Sequence, residues 1–270
     1  MRKPFKKKIV YDLSNDDYHN SPEWSAAISS TALKTAFGDS LFHMNFGKSS
    51  IADAVAREGT GLHYATLEPE KNMVFRRPTN SRTNAGKADI AALEAEGKVL
   101  LTDVEYDRVK RMAANLRAHP ICGMILAEKD RVVEASLMAK HKPTGLLVRC
   151  RPDIYIPSTG VMADVKSCQS SNPHKFQRTA WNYLWPLQAA FYKMVAEECG
   201  WTVKNFHFLS AEKTPAAAAH CHHMGDEAME WATKAVNETL QKIADAKASN
   251  QWPTGWGEYS EITLANWLEN

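Results

Sequence analysis

The spacing of apolar residues predicts an α/β fold, with a mixed central β-sheet flanked by helices and a helical N-terminal half. Three observations lead there. Apolar residues recur at helical spacing up to His119-Pro120, the period changes to two through three consecutive runs after Asp130, and helical spacing then returns around one further pair of strand-like runs.

In the helical half, Ser30 is placed to cap a short helix through Phe37, and a second helix is expected from Ile51 to Leu67, ended by Glu68-Pro69. A third fits Gly86 to Glu96. Thr102 and Glu105 match a capping box, in which each satisfies an orphan amide of the other's segment, opening a helix that must stop near His119-Pro120. Val132 to Ala139, Leu146 to Ile156 and Val161 to Cys168 read as three strands, joined by turns at Lys142-Pro143-Thr144-Gly145 and Pro157-Ser158-Thr159-Gly160. An antiparallel meander is the expectation. Helical spacing resumes from about His174 to Cys199, with Gly200 placed as a C-cap and Pro186 marking a kink or a fresh start. Val203 to Ala211 and Ala217 to Met224 complete the strands, and Asp226 to Ala248 forms a long last helix.

At 270 residues and 44% hydrophobic, the chain can bury one sizeable core, so a single domain over residues 1–270 is expected, with a basic arm over about residues 1–10. That arm carries Arg2, Lys3, Lys6, Lys7 and Lys8. No apolar run approaches the ~20 residues that span a bilayer, and no apolar stretch follows the opening charges, so no membrane association and a cytoplasmic location are expected. Five widely spaced cysteines suit reduced core thiols and do not group as ligands of an iron–sulfur cluster. A net charge of +2 is too small to indicate nucleic-acid binding by itself. Position matters more: Arg76, Arg77, Arg82, Arg149 and Arg151 can each meet a phosphate or lie as solvated surface charges.

The chemistry is concentrated in Arg149-Cys150-Arg151-Pro152-Asp153, followed across a turn by Ala163-Asp164-Val165-Lys166. Alternate strand residues share a face, so Asp164 and Lys166 project together while Ala163 and Val165 face the core. The hairpin sets Asp153 beside them. Two carboxylates and a lysine form an oxygen-rich site suited to Mg²⁺ and a phosphate, and the same residues also suit a structural ion-pair network. Glu134, on the face of Ser136, is either a third carboxylate or a solvent-facing residue. His63 lies in Gly59-Thr60-Gly61-Leu62-His63, where small residues permit close helix packing; alone it fits a satisfied core histidine. Gln188 and Tyr192, four apart, share a helix face. The run His220-Cys221-His222-His223 is a poor zinc site, because adjacent strand residues point to opposite faces.

Taken in order, Gly-x-x-His, Glu, Arg-Pro-Asp, Asp-x-Lys and Gln-x-x-x-Tyr resemble the RecB-type branch of the PD-(D/E)xK nucleases, and more specifically the RecE-type exonucleases. Further matching strings are Asp17-Tyr18-His19, Leu67-Glu68-Pro69-Glu70, Arg82-Thr83-Asn84-Ala85-Gly86-Lys87 and Trp252-Pro253. The resemblance implies a restriction-endonuclease-like core. It implies that His63, Asp153, Asp164 and the Val165 carbonyl are metal ligands, with Lys166 as catalytic lysine and Glu134 as an added carboxylate. Gln188 and Tyr192 would organise the site and contact the strand, and Arg82, Asn84 and Lys87 would bind DNA or frame its channel. The implied activity is 5′→3′ digestion of linear double-stranded DNA from its ends with Mg²⁺, Mn²⁺ substituting, leaving 3′ tails. Implied partners are a single-strand annealing protein of the RecT type and further copies of the chain, a tetrameric ring among the forms. An endonuclease of the same fold and a silent DNA-binding accessory are the alternatives. One departure is Ser167, where many relatives carry Thr.

Overall fold

The computed structural model describes residues 6–47, 53–80 and 82–260. Arg2, Lys3 and the expected start of the second helix at Ile51 lie outside them. In chain order the elements are β1 (Lys8–Val10), α1 (Asn15–Asn20), α2 (Pro22–Ser25), α3 (Ser30–Gly38), α4 (Leu41–Phe46), α5 (Asp53–Leu67), β2 (Val74–Arg76), α6 (Asn84–Ala95), β3 (Val99–Leu101), α7 (Asp103–Ala118) and α8 (Pro120–Ala127). The second half contains β4 (Val132–Val133), β5 (Ser136–Lys140), β6 (Leu147–Cys150), β7 (Ile154–Ile156), β8 (Val161–Cys168), α9 (Pro173–Asn182), α10 (Trp185–Cys199), β9 (Asn205–Glu212), β10 (Ala219–His223) and α11 (Asp226–Ser249).

The central sheet has the order β10-β9-β8-β7-β4 and is mixed: β8 and β9 run parallel, with Asp164 opposite Phe208, and the other neighbours are antiparallel. A parallel pair needs a long crossover, which α9 and α10 supply. The first two expected strands pair as foreseen, but each is broken. Val132 and Val133 join the central sheet through β7, whereas Ser136 to Lys140 pair with β6 and β1 in a separate three-stranded sheet. The breaks fall at Glu134, whose φ of 48° is left-handed, and at Arg151-Pro152-Asp153, where proline offers no ladder donor. The ribbon therefore bends out of one sheet into the next. The expected basic arm also becomes structure from Lys8 onward, since β1 pairs along β5.

Both faces of the central sheet are covered. Met162 packs with α10 and α11 residues such as Phe191, Val195 and Leu240, while Ala163 and Val165 pack with Leu62 of α5 and Met112 and Leu116 of α7. The expected alternation along β8 is thus observed, with Ala163 and Val165 in the core. The Thr102–Glu105 capping box is present. Other ends shift: Ser29, not Ser30, caps α3, its hydroxyl accepting from the Ala32 amide at 3.3 Å. The expected helix from His174 to Cys199 is two, because Leu184 is left-handed (φ 53°), and Pro186 sits in the first turn of the new helix. Gly200 ends it with φ 93°, as its placement predicts.

Candidate active site

The bend in the ribbon builds the site. β7 pairs with β8 only as far as Ile154 opposite Ala163, so the edge of β8 at Val165 is left free on that side. Its backbone groups are taken by side chains: the Val165 amide donates to Asp153 Oδ2 at 2.7 Å, and the Val165 carbonyl lies 3.1 Å from His63 Nε2. His63 Nε2 is also 3.5 Å from Asp153 Oδ2, and Nδ1 is 3.8 Å from Glu134 Oε1. One ligand atom from each of His63, Glu134 and Asp153 lies within 4.8 Å of the other two, and among the described residues this is the group whose geometry can hold a metal ion.

Glu134 thus enters the site, though not by strand alternation. Its left-handed backbone at the break turns the side chain there, while its amide donates to the Asp153 carbonyl at 3.2 Å. His63 reaches the cluster because α5 packs closely on β3: a Cβ at Gly61 would lie 3.0 Å from Leu101 Cδ1.

On the α10 side of β8, Asp164 and Lys166 form an ion pair. Gln188 bridges them, accepting from Lys166 Nζ at 3.1 Å and donating to Asp164 Oδ1 at 2.7 Å. Trp185 lies beneath the ammonium, its ring centre 5.3 Å from Nζ. Asp164 is buried, and its Oδ2, facing Lys166, accepts no well-angled hydrogen bond among the described residues. Asp164 lines the same cleft but stands outside the His63–Glu134–Asp153 group; that group and the Val165 carbonyl form a donor set that fits a hard divalent cation.

The electrostatics fit the same reading. Burial would lower the pKa of His63, but the charges of Asp153, Glu134 and Asp164 outweigh it and raise the pKa to about 9. Burial pushes the Asp153 carboxyl up to about 7; the His63 charge opposes this and the Asp164 charge adds to it. For Glu134, burial is outweighed by the facing His63 ring, and the pKa falls below the ordinary value. Without metal, a proton on His63 Nε2 faces both Asp153 and the Val165 carbonyl, in the position a cation would neutralise.

These groups line one wall of a cleft of about 740 Å³ that also reaches Tyr192, Tyr18 and the start of α3. Tyr192 is partly buried, which raises its hydroxyl pKa well above normal and keeps it a donor. The other expected contacts divide. Arg149 lines the cleft. Arg151 also lines it, but its donors are occupied by Ser136 Oγ (2.8 Å), Asn15 Oδ1 (2.7 Å) and the Leu13 carbonyl (3.0 Å). Arg82, Asn84 and Lys87 are exposed and lie outside the cleft lining. Their string is a helix start: Thr83 caps α6, and a Cβ at Gly86 would fall 2.1 Å from the Asn80 carbonyl oxygen, so glycine is required. Arg76 is held by Asp103 and Asp107. On β10, the His222 ring stacks on Phe176 while Cys221 lies 3.7 Å from His207, in keeping with opposite faces for neighbouring residues. Trp185 had no sequence signal. Tyr18 and His19 had only the string that contains them.

Comparison with known proteins bears on the fold and the family. No curated protein matches the sequence significantly. Among solved structures, a protein from Eubacterium rectale named as a candidate exonuclease is similar at TM-score 0.60 and 13% identity, covering 88% of this chain and 87% of that one. SSO0001 is also similar, at TM-score 0.31 and 10% identity, over 72% of this chain and 87% of that one, too low a score to carry an argument. With the family match that follows, the first likeness and the mixed sheet flanked by helices establish a restriction-endonuclease-like fold. Within the described residues no helix is long and apolar enough to cross a membrane. Residues 37–263 match the PDDEXK-like domain of unknown function DUF3799, and the chain belongs to that family.

Proposed function

We propose that the protein is a divalent-metal-dependent nuclease that hydrolyses DNA phosphodiesters, with Mg²⁺ as its ion and Mn²⁺ able to replace it. The observation that carries this reading is the free edge of β8, where Asp153, His63 and the Val165 carbonyl converge beside Asp164 and Lys166. His63, Glu134, Asp153, Asp164 and the Val165 carbonyl would hold the ion. Mostly oxygen donors favour Mg²⁺, and a single imidazole leaves Mn²⁺ acceptable. When bound, the ion neutralises phosphate charge and lowers the pKa of an attacking water.

The chain's own groups position the reaction. Lys166 presents an ammonium beside Asp164, where it meets the phosphate or the attacking water. Gln188 fixes both side chains through its two hydrogen bonds, and the Tyr192 hydroxyl, kept protonated, donates to the strand. Holding these groups within a few tenths of an ångström is worth large factors in rate.

Support for a finer reading comes from the RecE-type resemblance: 5′→3′ exonucleolysis of linear duplex, 3′ tails passed to a RecT-type annealing protein, and a homo-oligomeric, tetrameric ring. End-labelled linear duplex and covalently closed circle, each incubated with Mg²⁺, test it. Mononucleotide release from 5′ ends with the circle intact is expected. Cleavage of the circle would replace it with an endonuclease.

A further inference from the structure

Among the described residues, Arg149 is a buried cation without a complement. It is 7% exposed, yet its Nε and Nη1 find no hydrogen-bond partner among the described residues. Its guanidinium lies 4.6 Å from the ring centre of Tyr18, and Arg151 lies 4.2 Å from the same ring, so one aromatic ring carries two cations. A cation–π contact offsets part of the charge but accepts no in-plane hydrogen bond. A buried donor left unpaired costs stability, so a guanidinium kept in this state on a cleft wall marks a place for an anion.

The start of α3 meets it there. Ile28 bridges to β6: its amide donates to the Leu147 carbonyl, and its carbonyl accepts from the Arg149 amide, both at 2.8 Å. This bridge places Ser29, the cap of α3, directly after the residue bonded to Arg149. Ser29, Ser30 and Thr31 line the same cleft as Arg149. The Ser29 hydroxyl takes the Ala32 amide, which leaves the Ser30 and Thr31 amides without intrahelical acceptors at the positive end of the helix. Tyr18 and His19 complete this part of the wall, and among the described residues it contains no carboxylate.

We propose that Arg149 and the N-terminus of α3 form a phosphate subsite for a nucleic-acid strand, separate from the carboxylate cluster on the same cleft. Planar guanidinium donors and helix-end amides are complementary to a tetrahedral oxyanion. The two groups of residues on the cleft then divide the work. One accepts a cation and the scissile phosphate, and the other anchors a second phosphate of the same strand, fixing how far the strand advances.

The subsite rests on the reading that a nucleic-acid strand enters the cleft, but its test requires no hydrolysis. Inorganic phosphate is titrated calorimetrically in EDTA, which removes the carboxylate cluster's ion from the measurement. Saturable binding in the millimolar range is expected, weakened at least about tenfold in Arg149→Gln and in Thr31→Asp. Thr31 is exposed, and an acid at a helix N-terminus favours the helix, so Thr31→Asp keeps the fold, as a thermal melt checks, and carries the test should Arg149→Gln not fold. No binding by the wild type, or unchanged binding by folded Thr31→Asp, overturns the subsite. Competition then identifies the source. Displacement by a single strand bearing a 5′-phosphate, but not by its 5′-hydroxyl counterpart, assigns a terminal phosphate. Equal displacement by both assigns an internal phosphodiester, and displacement by neither overturns the proposal.

Discussion

Asp164→Asn lowers the rate of DNA hydrolysis on the order of 10³-fold, the scale of losing one preorganised charge-stabilising group. Asparagine is the informative choice because the site is buried. Asp164 accepts from Gln188 at 2.7 Å and pairs with Lys166, so Ala would leave a buried cation unpaired and cause unfolding that mimics loss of chemistry. Asn keeps the shape and the Gln188 bond while removing the charge and the oxygen left over for a metal. A moderately lowered melting temperature is expected with it, because the new amide group faces the Lys166 ammonium. Near-normal hydrolysis by folded Asp164→Asn removes this carboxylate from the mechanism.

Metal affinity rises steeply with pH, and the protonation of the apo site fixes the window. His63 is held protonated up to about pH 9 and Asp153 up to about pH 7. A cation binds the deprotonated ligands, so it must release those protons. Below about pH 7 two protons leave per ion, and affinity climbs about a hundredfold per pH unit. Between about 7 and 9 only the His63 proton leaves, the slope falls to about tenfold, and above 9 it flattens. Calorimetric titration with Mn²⁺ in buffers of different ionisation enthalpy counts the protons. Affinity independent of pH from 6 to 9 means that the ion does not replace the His63 proton. In His63→Gln the hundredfold region is lost and a single tenfold slope set by the Asp153 proton remains, extending above pH 7 because the His63 charge no longer opposes the rise of that carboxyl's pKa.

Legibility in the sequence followed what local patterns control. The alternation Ala163-Asp164-Val165-Lys166 fixes the faces of β8 because one face must bury against α5 and α7, and the Thr102–Glu105 box marks a helix start because two amides there need acceptors. Gln188 and Tyr192 lie one turn apart on α10 and meet the cleft together. Glu134 could not be placed this way. Its position depends on a left-handed residue at a strand break, and the break depends on the ribbon leaving one sheet for another. Arg151 and Arg149 look equivalent in the chain, two residues apart. The packed N-terminal segment and β5 distinguish them, occupying Arg151 through Leu13, Asn15 and Ser136 while Nε and Nη1 of Arg149 find no hydrogen-bond partner among the described residues. The Arg82-to-Lys87 string shows the converse, since Thr83 and Gly86 serve a helix cap away from the cleft.

The proposed function requires that the edge of β8 bind a divalent ion for phosphodiester hydrolysis. Its most direct test is release of nucleotides from end-labelled linear duplex by the purified chain, with Mg²⁺ and then with excess EDTA. The expected result is release with Mg²⁺ that stops on chelation and returns when Mg²⁺ is restored. Absence of release under any divalent ion, or release that EDTA leaves unchanged, would contradict it.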